Sequence, residues 1–187
     1  MHKNVNNLIV IENLLKKKTN IEKLPQIIAV SKTFPSSDII PLIEYGHSHF
    51  GENKIQEAIK KWIPIKKDFK NIKLHMIGKL QTNKVKYVIP LFDYIHSLDN
   101  LKLAEKISKE QIKKNKIINL FIQINIGNEK QKNGILIEEL DSFYKTCTQD
   151  LGLNIIGLMC LPPDEKKSSI YFHKMQQLTE KLHLKEI

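Results

Sequence analysis

Two hydrophobic periods alternate along the chain. Val5, Leu8, Glu12 and Leu15 share one side of a predicted first helix, and Ile9 and Ile11 broaden its apolar surface. "IIAVS" (27–31) is a short, nearly continuous apolar run, which predicts a strand covered on both faces. Pro35 and Ser36 open a helix over Ile39, Ile40, Leu42 and Ile43, and Gly46 can end it with positive φ. "SHFGEN" (48–53) reads as a brief strand and loop. Ile55, Ala58, Ile59 and Trp62 then stand at i, i+3, i+4 and i+7, the cleanest helical register in the chain.

The alternation continues to the end. Strands are predicted over "LHMIG" (74–78), "YIHSL" (94–98), "INLFIQIN" (118–125) and "NIIGLM" (154–159). Helices follow them over "TNKVKYVI", over Leu101, Ala104 and Ile107, over Leu140, Phe143, Tyr144 and Cys147, and over Tyr171, Met175, Leu178 and Leu182. Pro162 and Pro163 close the last strand region, since proline cannot donate to a ladder. Six strand–helix repeats after a leading helix predict an α/β fold with a parallel sheet. An open doubly wound sheet and a (β/α) barrel both satisfy the pattern, although a complete barrel needs eight strands. No GxGxxG or GxxxxGK segment occurs, so dinucleotide and P-loop readings have no motif behind them.

In either architecture the chemistry lies beyond the carboxyl ends of the strands. Lys32 follows the first strand, and Glu52 and Asn53 follow the second. His75 lies in the third strand, with Gly78 at its end. His96 and Ser97 lie in the fourth, with Asp99 just past it. Gln123 and Asn125 lie in the fifth, and Met159 ends the sixth. Gln123 and Asn125 share a face, because strands have period two. Two amides on one side of a buried strand need partners; strand-end polarity and a polar pocket both supply them. Lys32 is either a solvated strand end or an amine at a pocket mouth, where apolar surroundings would make it a better nucleophile towards aldehydes. His75 is a satisfied buried histidine or a hydrogen-bond partner for a ligand. Asn53 either caps the helix over Ile55 to Trp62 or contacts a ligand.

Charge narrows the partners. The formal net charge is +10, and every one of the 30 basic residues is lysine. Nucleic-acid readers lean on the guanidinium fork, and this chain has no arginine, so no nucleic-acid partner is expected. The lysines are dispersed, as on solvated helix faces. No run of about 18 apolar residues occurs, so no membrane span is expected. The N-terminus carries Glu12 and a lysine run where an export signal would stay apolar, so a cytoplasmic location is expected. Cys147 and Cys160 belong to no CxxC and no cluster with metal-ligand spacing, and read as two buried thiols.

Six segments together carry a family resemblance. They are "AVSKTFP" (29–35), "HFGENKIQE" (49–57), "HMIGKLQTNKVKYV" (75–88), "IHSLD" (95–99), "FIQINIGNEKQKNGI" (121–135) and "GLMCLPP" (157–163). In order and spacing they resemble the pyridoxal phosphate homeostasis family, which is like the N-terminal barrel domain of alanine racemase without its second domain. The resemblance spans nearly the whole chain. It implies an alanine-racemase-like (β/α)8 TIM barrel, and pyridoxal 5'-phosphate held as an aldimine on the lysine that matches Lys32. It also implies cofactor-ring contacts from Asn53, His75, Ser97, Asn125 and Met159. Lys132 matches a lysine in the loop after the fifth strand, where "QKN" departs from the family's usual "SKS".

The family continues with a seventh strand bearing an S-M-G-M-S-like segment and an eighth bearing R-x-G, which hold the phosphate. Neither is present here. The expectation is therefore one cofactor-binding barrel domain over residues 1–187, truncated at its C-terminus, with about six parallel strands. The function expected is binding, buffering and delivery of pyridoxal phosphate to dependent enzymes, without turnover. The alternatives are a racemase- or decarboxylase-like enzyme using the same aldimine, with His75 as its candidate base, or a partner-dependent fragment.

Overall fold

The structure is a computed structural model that describes residues 1–18, 24–163 and 168–187. Two compact units divide it, Met1–Leu74 and His75–Ile187.

In the first unit, α1 (Lys3–Lys18) packs on α2 (Ser36–Glu44). Val5 and Leu8 are buried there, and the Asn4 side-chain amide donates to Asp38 O at 3.0 Å. Ile11 does not extend the covered stripe: it is exposed, as are Val10 and Leu14. A helix turns about 100° per residue, so one neighbour covers one stripe only. Gly46 ends α2 with φ 108° and donates to Ile43 O, as its position after the apolar run predicts.

β1 is Ala29–Val30, paired in parallel with β2 (His49–Glu52). It is shorter than the apolar run 27–31, and Val30 is 46% exposed. The expectation of a strand covered on both faces fails here, since neither residue of β1 is buried. β2 is the opposite case, with Phe50 and Glu52 fully buried. α3 (Ile55–Asp68) buries Ile55, Ala58, Trp62 and Ile65, and the Trp62 ring packs on Phe50 with centroids 5.0 Å apart. β3 (Lys73–Met76) begins in this unit, where Lys73 N–H donates to Ser48 O at 2.8 Å.

In the second unit β3 continues, and the order is β3-β4-β5-β6, every pair parallel. β4 is Tyr94–Leu98, β5 is Asn119–Ile124 and β6 is Ile155–Cys160. Crossover helices α4 (Val85–Leu91), α5 (Leu101–Lys114) and α6 (Leu140–Lys145) join them. Asn100 caps α5 by accepting from Leu103 N–H, and Asn115 ends it in the left-handed region. Leu103 is the buried residue of its first turn, while Leu101 lies 47% exposed. α6 widens into a π turn over Thr146–Asp150 that keeps Cys147 buried. Burial pushes the Cys147 thiol up to about 12. Cys160 is only half-buried, so the pair of buried thiols reduces to one.

After α7 (Ser168–Lys181), His183 takes φ 54° and turns the chain back along β6. Glu186 bridges Gly157 in parallel: Glu186 N–H donates to Ile156 O, and Leu158 N–H donates to Glu186 O, both at 3.2 Å. The tail thus begins a further ladder on β6, which no periodicity in "KLHLKEI" announces.

Candidate functional site

Lys32 stands two residues past the end of β1 and is exposed, the solvated strand end of the two readings its position allowed. Its neighbours are held. Ser31, 3% exposed, extends the ladder by donating its N–H to Gly51 O at 2.9 Å. The Ser31 hydroxyl donates to Glu52 Oε1 at 2.9 Å. Thr33 on the other side has φ 65°, a conformation uncommon for a β-branched residue. Its N–H donates to Glu57 Oε1 at 2.6 Å.

Glu52 belongs to the last residue of β2 and has no exposed surface. Besides the Ser31 hydroxyl, its Oε1 accepts from Lys61 Nζ and from Trp62 Nε1, each at 2.9 Å. Its Oε2 is buried without a hydrogen-bond partner. Lys61 also donates to Ser31 O at 2.7 Å and to Glu57 Oε1 at 3.2 Å. The Thr33 N–H, and after it the Lys61 ammonium, hold the Glu57 carboxyl below the usual range. Glu57 and Lys61 were missed by reading strand ends, since both stand on α3; their i, i+4 spacing was the available signal. Asn53 is half-buried and does not cap α3, whose N-cap is Lys54 without a side-chain bond.

The second unit holds the remaining positions. His75, 3% exposed, and His96, 8% exposed, meet across β3 and β4 with Nδ1 of His75 2.9 Å from Nε2 of His96. One ring donates and the other accepts. His75 also stacks on Tyr94 at 4.1 Å, and His96 on Phe121 at 4.2 Å. Burial pushes the His96 imidazole down to about 4, so this partner is neutral near pH 7. The pairing makes both histidines satisfied strand residues, whatever else His75 contacts.

The Ser97 hydroxyl donates to Gly78 O at 2.8 Å, tying the end of β4 to the turn after β3. Gln123 faces Met159 in the β5–β6 register, and Met159 is half-buried. The fifth strand ends at Ile124, so Asn125 lies one residue beyond it rather than within it, and Gln123 and Asn125 both serve the loop that follows. Gln123 Nε2 donates to Asn133 O at 3.2 Å. Asn125 Nδ2 donates to Glu129 O, and its Oδ1 accepts from Glu129 N–H, both at 3.0 Å. Gly134 closes that loop at φ 123°, where an added Cβ would lie 2.5 Å from Asn125 N. Lys132 Nζ reaches Glu129 Oε2 at 2.6 Å and Pro162 O at 2.9 Å, joining the loop to the segment after β6. No helix among the described residues is long and apolar enough to cross a membrane.

The family model of the alanine racemase N-terminal domain matches residues 9–186. A pyridoxal phosphate homeostasis protein of Buchnera aphidicola is 41% identical over 157 residues, covering 84% of this chain and 68% of its own. That of Aquifex aeolicus is 34% identical over 164 residues, covering 86% of this chain and 71% of its own. Among solved structures, PipY of Synechococcus elongatus with PLP bound superposes with a TM-score of 0.82 at 26% identity, covering 97% of this chain and 82% of that one. PipY without PLP gives 0.84 at 28% identity, covering 95% and 81%. An alanine racemase of Clostridium difficile gives 0.74 at 13% identity over 98% of this chain and 51% of its own, a likeness of fold alone. With six parallel strands among the described residues, Lys32 just past the carboxyl end of β1, and these matches over most of its length, the chain belongs to the pyridoxal phosphate homeostasis family and has the alanine-racemase-like α/β fold.

Proposed function

We propose that this chain binds pyridoxal 5'-phosphate through Lys32 and buffers it for delivery to enzymes that depend on it. One observation carries the reading: an exposed primary amine at the carboxyl end of β1, between a buried Ser31 and a held Thr33. That donor fits the aldehyde end of the group. Condensation with the amine forms one C=N bond and releases one water, which keeps a reactive aldehyde from other amines. Lys32 binds; Ser31 and Thr33 orient it; no proton transfer on a substrate is required. The relatives' names describe homeostasis rather than a reaction, in keeping with this division of labour. The ring contacts assigned to Asn53, His75, Ser97, Asn125 and Met159 rest on the family motifs.

Absorbance titration with pyridoxal phosphate, followed by borohydride reduction and peptide mapping, tests the reading. A near-stoichiometric label on Lys32 that disappears in Lys32→Ala is expected. Label scattered over many lysines would overturn it.

A further inference from the structure

The geometry points to Glu52, Glu57 and Lys61 as positioning residues for Lys32, an ionic clamp that fixes the two peptide units flanking the reactive amine. The inference rests on the reading of Lys32 given above and adds what aims it.

The peptide unit entering Lys32 carries Ser31 O, and Lys61 Nζ donates to that oxygen at 2.7 Å. The peptide unit leaving Lys32 carries Thr33 N–H, which Glu57 Oε1 accepts at 2.6 Å. Lys61 also donates to Glu57 Oε1 and Glu52 Oε1, so its three ammonium protons serve three acceptors in one cluster. Glu52 in turn holds the Ser31 hydroxyl. Both dihedral axes around the Lys32 Cα are thus tied, through charge-assisted bonds, to one helix and one strand. Such bonds are stronger than neutral ones and suit a position that must not drift.

Two features separate this from ordinary core filling. The side chains of Lys61 and Glu52 are only 9% and 0% exposed, and apolar residues of similar volume generally fill such space at less desolvation cost. Charges stand here at the one place where they touch the backbone on either side of Lys32. Thr33 is also held at φ 65°, in a region that costs a β-branched residue energy and persists only when surroundings over-determine it. The Glu57 bond supplies that determination. The side chain of Glu57 is 30% exposed, so it can be cut back without opening the core.

The test compares Glu57→Ala, Glu57→Gln and Lys61→Met with the unaltered chain. Three readouts are taken: apparent Kd for pyridoxal phosphate, the share of borohydride-trapped label on Lys32, and the melting curve without ligand. Glu57→Ala should weaken binding roughly tenfold and move label from Lys32 to other lysines, while melting as cooperatively as the unaltered chain. Glu57→Gln keeps an acceptor for Thr33 N–H and should stay within about threefold. Lys61→Met should weaken binding likewise, but it also leaves the buried Glu52 carboxylate without its cation and should lower the melting temperature, so Glu57→Ala decides the clamp. Unchanged Kd and label distribution in Glu57→Ala, beside specific labelling of the unaltered chain, overturns the clamp alone. Binding losses in Glu57→Ala that merely track a lost melting transition also overturn it. Failure of the unaltered chain to label at Lys32 overturns the functional reading, and the clamp with it.

Discussion

His96 shows how a single side chain sets a condition on stability. Its folded imidazole protonates near 4, whereas an unfolded chain takes up that proton near 6.5. As pH falls below 6.5 the unfolded state binds the proton first. The stability contributed by a neutral His96 is therefore whole above pH 6.5 and shrinks as pH falls towards 4, by roughly 3 kcal/mol over the interval. Urea midpoints at pH 7.5 and 4.5 should show the drop, and His96→Phe should flatten its share of it. An identical slope in that variant would reject the assignment. His47, also pushed down by burial, steepens both curves alike. Trp62→Phe is the second residue-scale case. It removes one donor to the fully buried Glu52 while keeping a ring against Phe50. A loss of about 1–3 kcal/mol is expected from denaturant midpoints. At this scale the sequence placed Lys32 and Glu52 at strand ends correctly. It did not connect them to Glu57 and Lys61, because a helix residue and a strand end meet only after folding.

Elements were legible wherever one period held for two turns or more. α3 matched its predicted register at Ile55, Ala58 and Trp62, which pack inwards, while Ile59 is only half-buried. β4 runs over the same five residues as the predicted strand. β1 failed, because an apolar run specifies a strand but not how many neighbours the strand receives. The tail beside β6 was invisible for a related reason: one bridging residue has no period. Gly157 nonetheless marks it, since an added Cβ would lie 2.3 Å from Glu186 O and 2.8 Å from Phe121 Cε1. Gly157→Ala should push the tail off β6 at a cost of about 1–3 kcal/mol. Hydrogen exchange checks this, with Leu158 N–H losing the protection that Glu186 O provides. Undiminished protection there would reject the role given to the tail.

For the whole molecule, ligand linkage is the measurable consequence. A ligand at about 100 times its Kd stabilises a folded protein by about 2.7 kcal/mol, which for a chain of this size raises Tm by several degrees. Pyridoxal phosphate should produce that shift in the unaltered chain and none in Lys32→Ala. Equal shifts in both would mean that binding does not depend on this lysine. The dispersed lysines carry no such expectation, for +10 without arginine describes solvated faces as well as it describes a binding surface. By itself the sequence determined the alternation of strands and helices, their parallel pairing and the position of Lys32 after the first strand. Those follow from local periods and from the order of residues along the chain. Tertiary structure alone decided that β1 is thinly covered, that His75 pairs with His96, and that Asn125 serves its own loop. It alone decided, too, that α3 brings Glu57 and Lys61 to the backbone around Lys32. Each depends on which atoms meet across sequence separations of up to about thirty residues, and one-dimensional spacing carries no record of such meetings.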